Sequence, residues 1–321
     1  MRSLRLVRST WLADGVVQLE LADPSGGADG AGAELPGWEP GAHLTLHLPD
    51  GPSREYSLCG DPADRARYTV AVQREPDSRG GSAHVHERLR VGEILDVDGP
   101  KNTFALAPAP AYVLVAGGIG VTPIKAMADE LARRGASWSL LYCGRSRTSM
   151  AFAADLAGHA QAVVHADDEH GGPPDIAAHL KEALAGLPEG ALVYCCGPEP
   201  LLRAVQDALD DTSRLRTERF RAPEPVRTGT DADGEAPFDV VCGADRFTVE
   251  PGASILETLR AGGVDLPSSC EEGICGTCET RVLAGEPDHR DHILTDDERA
   301  AGATMMLCVS RSRTPELVLD L

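Results

Sequence analysis

A chain of 321 residues, 42% hydrophobic and 25% charged, has the balance of a soluble globular protein and the length for two or three cores. A net charge of −20 argues against nucleic acid or anionic lipid as a partner, since either would call for a basic patch. The longest apolar run, residues 112–124, is broken by three glycines and falls short of the roughly 18 residues of a membrane span. The basic N-terminus has no apolar run behind it, as a signal peptide would. Nine cysteines, four of them clustered late, fit metal ligation in a reducing cytoplasm better than a disulfide framework.

Residues 1–105 read as short alternating strands at 16–21, 43–48, 68–73 and 94–97, separated by Gly, Pro and Asp turns. This is the rhythm of an antiparallel barrel or sandwich. Residues 24–41, rich in Gly, Ala and Pro, read as a surface loop, and a helix is expected over 82–89. From 106 to 222 the rhythm changes. Strands at 112–116, 137–142, 162–165 and 191–195 alternate with helical stretches, one from Thr122 and one from Glu199, which predicts a parallel sheet with covering helices. Residues 223–237 lack apolar periodicity and read as a linker, and 238–321 has the size of one more small domain.

The most specific motif is Cys270-Glu-Glu-Gly-Ile-Cys275-Gly-Thr-Cys278 with a distant Cys308. Three thiolates from one tight loop and a fourth brought back by the fold is the ligand spacing of a plant-type [2Fe–2S] cluster. Gly273 and Gly276 let the backbone curl close and turn amides toward anionic sulfur. A structural zinc site would instead present two short knuckles. Segment 238–321 resembles a plant-type ferredoxin domain, which implies a β-grasp fold.

Two further signatures lie upstream. Arg54-Glu55-Tyr56-Ser57 sets a guanidinium for a phosphate, an aromatic to pack on a ring and a hydroxyl for its polar edge. Gly80-Gly81-Ser82 opens a helix whose amides suit a phosphate, the plain alternative being an N-cap at Ser82. Gly117-Gly118-Ile119-Gly120-Val121-Thr122-Pro123 is a strand, a glycine turn and a helix start, where a dinucleotide pyrophosphate can approach the backbone. It is not G-x-G-x-x-G, so the ordinary dinucleotide fingerprint does not apply. Cys196-Gly197-Pro198 places a thiol at the end of a parallel strand, where ligands of α/β sheets bind, with Cys195 read as structural.

Together with Glu218-Arg219-Phe220, these pieces make residues 1–222 resemble ferredoxin-reductase-type flavoenzymes. The order of flavin barrel (1–105), nicotinamide domain (106–222), linker (223–237) and ferredoxin domain (238–321) is similar to that of the phthalate dioxygenase reductase family and of vanillate demethylase reductase subunits. The resemblance implies FMN as flavin, NADH as donor and a Rieske-type oxygenase, or a cytochrome P450, as acceptor. It also implies that Gly80–Ser82 holds the FMN phosphate and that Phe220 lies at the nicotinamide side of the flavin. Asp167, after the third strand of the second segment, would bind a ribose hydroxyl and repel a 2′-phosphate. Arg145-Ser146-Arg147 would instead welcome that phosphate, so the residues themselves leave NADPH open. Cys196 and Phe220 are the residues expected beside the reacting nicotinamide. No acid–base pair is required, because hydride transfer belongs to the cofactors.

The motif Asp288-His289-Arg290-Asp291-His292 suggests a metal site, but four cysteines already suffice, and these residues read as loop packing near the cluster. Met305 and Met306, before the fourth cysteine, should fill the small core. The expected molecule is a cytoplasmic monomer, apart from nucleic acid and membrane. A flavin–iron–sulfur sensor module and a zinc-stabilised binding protein are the rival readings.

Overall fold

The computed structural model describes residues 1–26, 32–49, 53–76, 80–221 and 235–321, so most of the expected linker lies outside the described residues. The chain forms two compact units, Met1–Phe220 and Arg221–Leu321.

The first unit begins with β1 (Arg2–Ala13), β2 (Val16–Ala22), β3 (Ala42–His47), β4 (Ser53–Ser57), β5 (Arg67–Gln73), helix α1 (Gly81–Glu87) and β6 (Ile94–Asn102). The six strands form an antiparallel sheet in the order β4-β3-β6-β1-β2-β5. A bridge from Leu58 to Val70 joins its two edges into a barrel. Period-two alternation fills the interior: Leu44 and Leu46 of β3 and Leu4 and Leu6 of β1 are fully buried. Each such leucine contributes about 1.5–3 kcal/mol of hydrophobic stabilisation. The segment read as a surface loop departs from that expectation. Leu35 and Trp38 turn inward and join this core, and the Tyr68 hydroxyl donates to Pro36 O (2.7 Å).

The rest of the first unit alternates β7 (Tyr112–Gly117), α2 (Val121–Arg134), β8 (Trp138–Gly144), α3 (Ala153–Ala157), β9 (Ala162–Ala166), α4 (Asp167–His170), α5 (Ile176–Leu184), β10 (Leu192–Cys196), α6 (Glu199–Asp207) and β11 (Leu215–Glu218). All five strands are parallel, in the order β11-β10-β7-β8-β9. Because both faces are covered, β7 is apolar throughout. Tyr112, Leu114 and Ala116 face the core shared with α2, and Val113 and Val115 face the core shared with α5 and α6. The chain runs outward from β7 to β8 and β9 and then returns to β10 on the other side. The topological switch point therefore lies between β7 and β10.

The second unit comprises β12 (Phe238–Cys242), β13 (Asp245–Val249), α7 (Ile255–Ala261), β14 (Glu279–Ala284), β15 (Pro287–Asp288), α8 (Asp296–Ala301), β16 (Thr304–Met306), β17 (Arg311–Ser312) and β18 (Glu316–Leu319). A mixed sheet in the order β13-β12-β18-β14-β16, with β12 and β18 parallel, grasps α7. Ser254 caps α7 in a reciprocal box with Glu257. Met305 and Met306 are fully buried in this core, as expected.

Candidate functional site

β4 sends Arg54 and Tyr56 to one side and Glu55 and Ser57 to the other. The Arg54 stem lies across the start of α1: a Cβ on Gly81 would stand 2.7 Å from Arg54 Cγ. The guanidinium and the first amides of the helix thus share one place, a cradle suited to a phosphate. Ser82 does not cap this helix. The cap position is Gly80, left-handed at φ 99°, and Ser82 Oγ instead accepts from the Glu75 amide (3.0 Å). The helix also starts one residue earlier and ends sooner than the sequence pattern suggested. Burial pushes the Tyr56 phenol up to about 12.

On the opposite side of β4, the buried Ser57 hydroxyl donates to Glu218, the last residue of β11. Glu218 is raised to about 8, first by burial and then by the nearby Glu55 carboxylate, with the Ser57 bond working the other way. Its Oε2 is shut from solvent without a partner. In the sequence Glu218 stands out only as part of the Glu218-Arg219-Phe220 motif. An acid closing a short parallel strand was the available signal.

At the switch point, two glycine turns pack backbone to backbone. β7 ends at Gly117 and a 3-10 turn, Gly118–Gly120, leads into α2. A Cβ on Gly120 would overlap the Cys196 carbonyl and stand 2.7 Å from Gly197 N. A Cβ on Gly117 would meet Pro198 Cδ at 2.8 Å, and one on Gly197 would meet Gly117 Cα at 3.0 Å. Gly118, left-handed at φ 54°, has open space on its side-chain face. Thr122 is buried and its hydroxyl donates to Ile119 O (3.1 Å), so it ties the turn together. Pro123 occupies the first turn of α2, where its missing amide costs no bond. Cys196 ends β10 as expected, but its side chain is fully buried in the core, and burial raises its thiol far above the ordinary range. Cys195 is equally buried on the other face of the sheet. Phe220 ends the first unit, 39% exposed.

At the end of β9, Asp167 opens α4, and its Oδ1 is buried with no hydrogen-bond partner. That orphaned acceptor suits a sugar hydroxyl donor. Arg147 is engaged by Glu169 through two bonds (2.9 and 3.3 Å). Arg145 lends its carbonyl to the Asp168 amide (3.1 Å), and Ser146 Oγ donates to Ser149 Oγ (3.2 Å) within the same turn. His165 and His170 stack on each other, 4.3 Å between ring centroids, beside this turn.

In the second unit the four cysteines come together as two pairs. Cys270 bonds Cys275, and Cys278 bonds Cys308. Within each pair one thiol is lowered and the other raised, as two sulfurs sharing a proton must be; Cys270 falls to about 6. Amides point at the sulfurs: those of Glu272 (3.3 Å), Ile274 and Cys275 at Cys270, and that of Gly273 at Cys308. Gly273 and Gly276 are left-handed, at φ 72° and 77°, and a Cβ on Gly273 would strike Val309 Cγ2 at 2.6 Å. Among the described residues no three metal-ligating side chains converge on one point. Two thiol pairs ringed by amides fit a binuclear iron–sulfur cluster, two ligands to each iron.

Fold and sites together define an oxidoreductase that joins an NAD-binding domain to a [2Fe–2S] domain. The 2Fe-2S iron-sulfur cluster binding domain model matches residues 239–313, and the oxidoreductase NAD-binding domain model matches residues 114–207. The phenoxybenzoate dioxygenase subunit beta of Ectopseudomonas oleovorans is 46% identical over 99% of this chain and 97% of its own. The solved structure of phthalate dioxygenase reductase, described as modular for electron transfer from pyridine nucleotides to [2Fe–2S], is 37% identical with a TM-score of 0.72, covering 99% of this chain and 97% of that one. An intact type IV self-sufficient cytochrome P450 monooxygenase is 42% identical with a TM-score of 0.83; all of this chain aligns, but it spans only 41% of that protein. The chain belongs to the phthalate dioxygenase reductase family.

Proposed function

We propose that this chain is the reductase of an oxygenase system, taking electrons from NADH by way of FMN to its own [2Fe–2S] cluster and on to a separate Rieske-type oxygenase. When bound, the flavin and the cluster would supply the redox chemistry, accepting an electron pair as one hydride and passing it on as single electrons. The observation that carries the reading is one chain holding both a glycine turn at an α/β switch point and two amide-ringed thiol pairs. Residues 1–105 would serve the flavin, 106–222 the nicotinamide and 238–321 the cluster.

The residues divide the work. Arg54, with the Gly80, Gly81 and Ser82 segment, would hold the FMN phosphate, Tyr56 would pack along the ring and Ser57 would face its polar edge. Gly117, Gly118 and Gly120, held by Thr122 and Pro123, would admit the pyrophosphate of NADH, with Gly197 and Pro198 as the facing wall. Asp167 would accept from a ribose hydroxyl. The engagement of Arg147 by Glu169 favours NADH over NADPH, leaving Arg145 and Ser146 at the rim. Cys196 would act from within the wall, by its volume at the strand end, and Phe220 would shield the nicotinamide side of the flavin. Cys270, Cys275, Cys278 and Cys308 would hold the cluster. A cytochrome P450 acceptor is the second reading, favoured by the fused relative. Among the described residues, no helix is long and apolar enough to cross a membrane.

The test is an anaerobic visible spectrum before and after one equivalent of NADH, run beside Cys308→Ala. The native chain should bleach flavin and iron–sulfur bands together. The variant should keep NADH–ferricyanide activity and lose most cytochrome c reduction. A colourless protein, or one indifferent to NADH, rejects the proposal.

A further inference from the structure

The motif at residues 288–292 is a sequence feature that the electron path leaves unused, and within it the Asp291 carboxyl and the His289 ring are buried while Arg290 and His292 are exposed. The Asp291 side chain is completely shut from solvent. Its Oδ2 accepts from the amides of Ile293 (3.1 Å) and Leu294 (2.9 Å). Arg299, on α8, donates to Asp291 O (2.7 Å), with its guanidinium 3.6 Å from Oδ2. His289 stands opposite, Nδ1 3.7 Å from Asp291 Oδ1. Asp291 Oδ1, both ring nitrogens of His289 and Arg299 Nε are all buried without hydrogen-bond partners. Capping two amides needs only one oxygen, so the buried charge and the unmet atoms exceed what the loop geometry requires.

The location supplies a reason. Asp291 Cα lies 3.1 Å from where a Gly273 Cβ would stand, and the His292 amide donates to Gly273 O (2.9 Å). Gly273 in turn directs its own amide to the Cys308 sulfur. The loop carrying the charge is therefore the wall against which the cysteine loop is moulded.

We propose that Asp291, a buried charge, and Arg299, a partly buried opposite one, hold the Gly273 amide on Cys308 and set the reduction potential of the cluster bound there. Both are positioning residues, and the inference rests on the [2Fe–2S] reading above. Reduction adds negative charge to the cluster. A carboxylate nearby opposes that step and a guanidinium favours it, and burial keeps water from screening the carboxylate. The carboxylate is fully buried while Arg299 is 35% exposed, so the carboxylate prevails and the pair holds the potential down.

The experiment is an anaerobic dye-mediated redox titration of the full holoprotein, followed by electron paramagnetic resonance. It compares the native chain with Asp291→Asn and Arg299→Gln, after iron and sulfide analysis. Asp291→Asn retains an oxygen for the two amides and should raise the potential. Arg299→Gln should lower it. Flavin-dependent ferricyanide reduction should be unchanged in both. Equal potentials and identical resonance line shapes in all three proteins, or shifts of the same sign, overturn the proposal. If Asp291→Asn fails to retain iron, the Arg299→Gln shift decides alone. A native chain without a cluster signal overturns the [2Fe–2S] reading itself, an outcome distinct from unchanged potentials in a loaded protein.

Discussion

Glu218 shows how a single side chain acquires its character from a distance in sequence. Nothing in Leu215–Glu218 marks the acid as unusual. It becomes so because β11 lays it against Ser57 and within reach of Glu55 on β4, far upstream in the chain. Its folded-state value, about 8, lies well above the unfolded one of roughly 4.3. Between those values the folded protein keeps a proton that the unfolded chain has released. Stability therefore falls as pH rises through this window, by up to about 1.4 kcal/mol per unit, and levels off above it. Glu218→Gln cannot ionise, so urea melts from pH 5 to 8 should show a flatter profile for the variant, with its advantage greatest at the alkaline end. Parallel profiles would mean that the acid is not held neutral. Cys196 carries the complementary lesson: its strand-end position was legible, whereas its complete burial depends on packing from α2 and β7.

At the scale of elements, the nicotinamide turn separates two kinds of glycine. Gly120 is small because the backbone of residues 196–197 occupies the space beside it. Gly118 is left-handed with nothing near its side-chain face. Gly120→Ala must push two strands' turns apart and should cost about 3 kcal/mol, the upper end of the usual overpacking range, because the obstacle is backbone. Gly118→Ala should cost only about 1 kcal/mol, from the left-handed conformation. Its methyl projects into open space on the face proposed for the dinucleotide, so the expected signature is a raised KM for NADH with near-native stability. Thermal melts beside steady-state kinetics distinguish the two; a Gly118→Ala protein with native KM would place the dinucleotide elsewhere. Among strands, the regular alternation of β2, β3 and β5 was readable. β1 was not, because its arginines and serines outnumber the two inward leucines until β2 and β6 flank it. β11, four residues long, is a strand only by pairing with β10.

Over the whole molecule the formal charge of −20 acts on encounter with other molecules rather than on folding. Reduction of the basic acceptor cytochrome c should slow several-fold as salt rises from about 0.01 M to about 0.15 M, since the screening length contracts from ~30 Å to ~8 Å. Ferricyanide, an anion, should show no such slowing. Stopped-flow rates with the two acceptors check this, and identical salt dependence would remove electrostatic steering from the account.

The sequence by itself determined the broad chemistry, because cysteine spacing, glycine turns after apolar strands and period-two alternation are local consequences of ligand geometry and backbone sterics. The order of its three segments was legible for the same reason. Only the tertiary structure decided which groups share a site. Barrel closure through Leu58 and Val70, the inward turn of Leu35 and Trp38, the meeting of Ser57 with Glu218, and the burial of Asp291 against Gly273 all join residues remote along the chain. Such contacts follow from how sheets pair and loops fold back to fill a core, which no local pattern encodes.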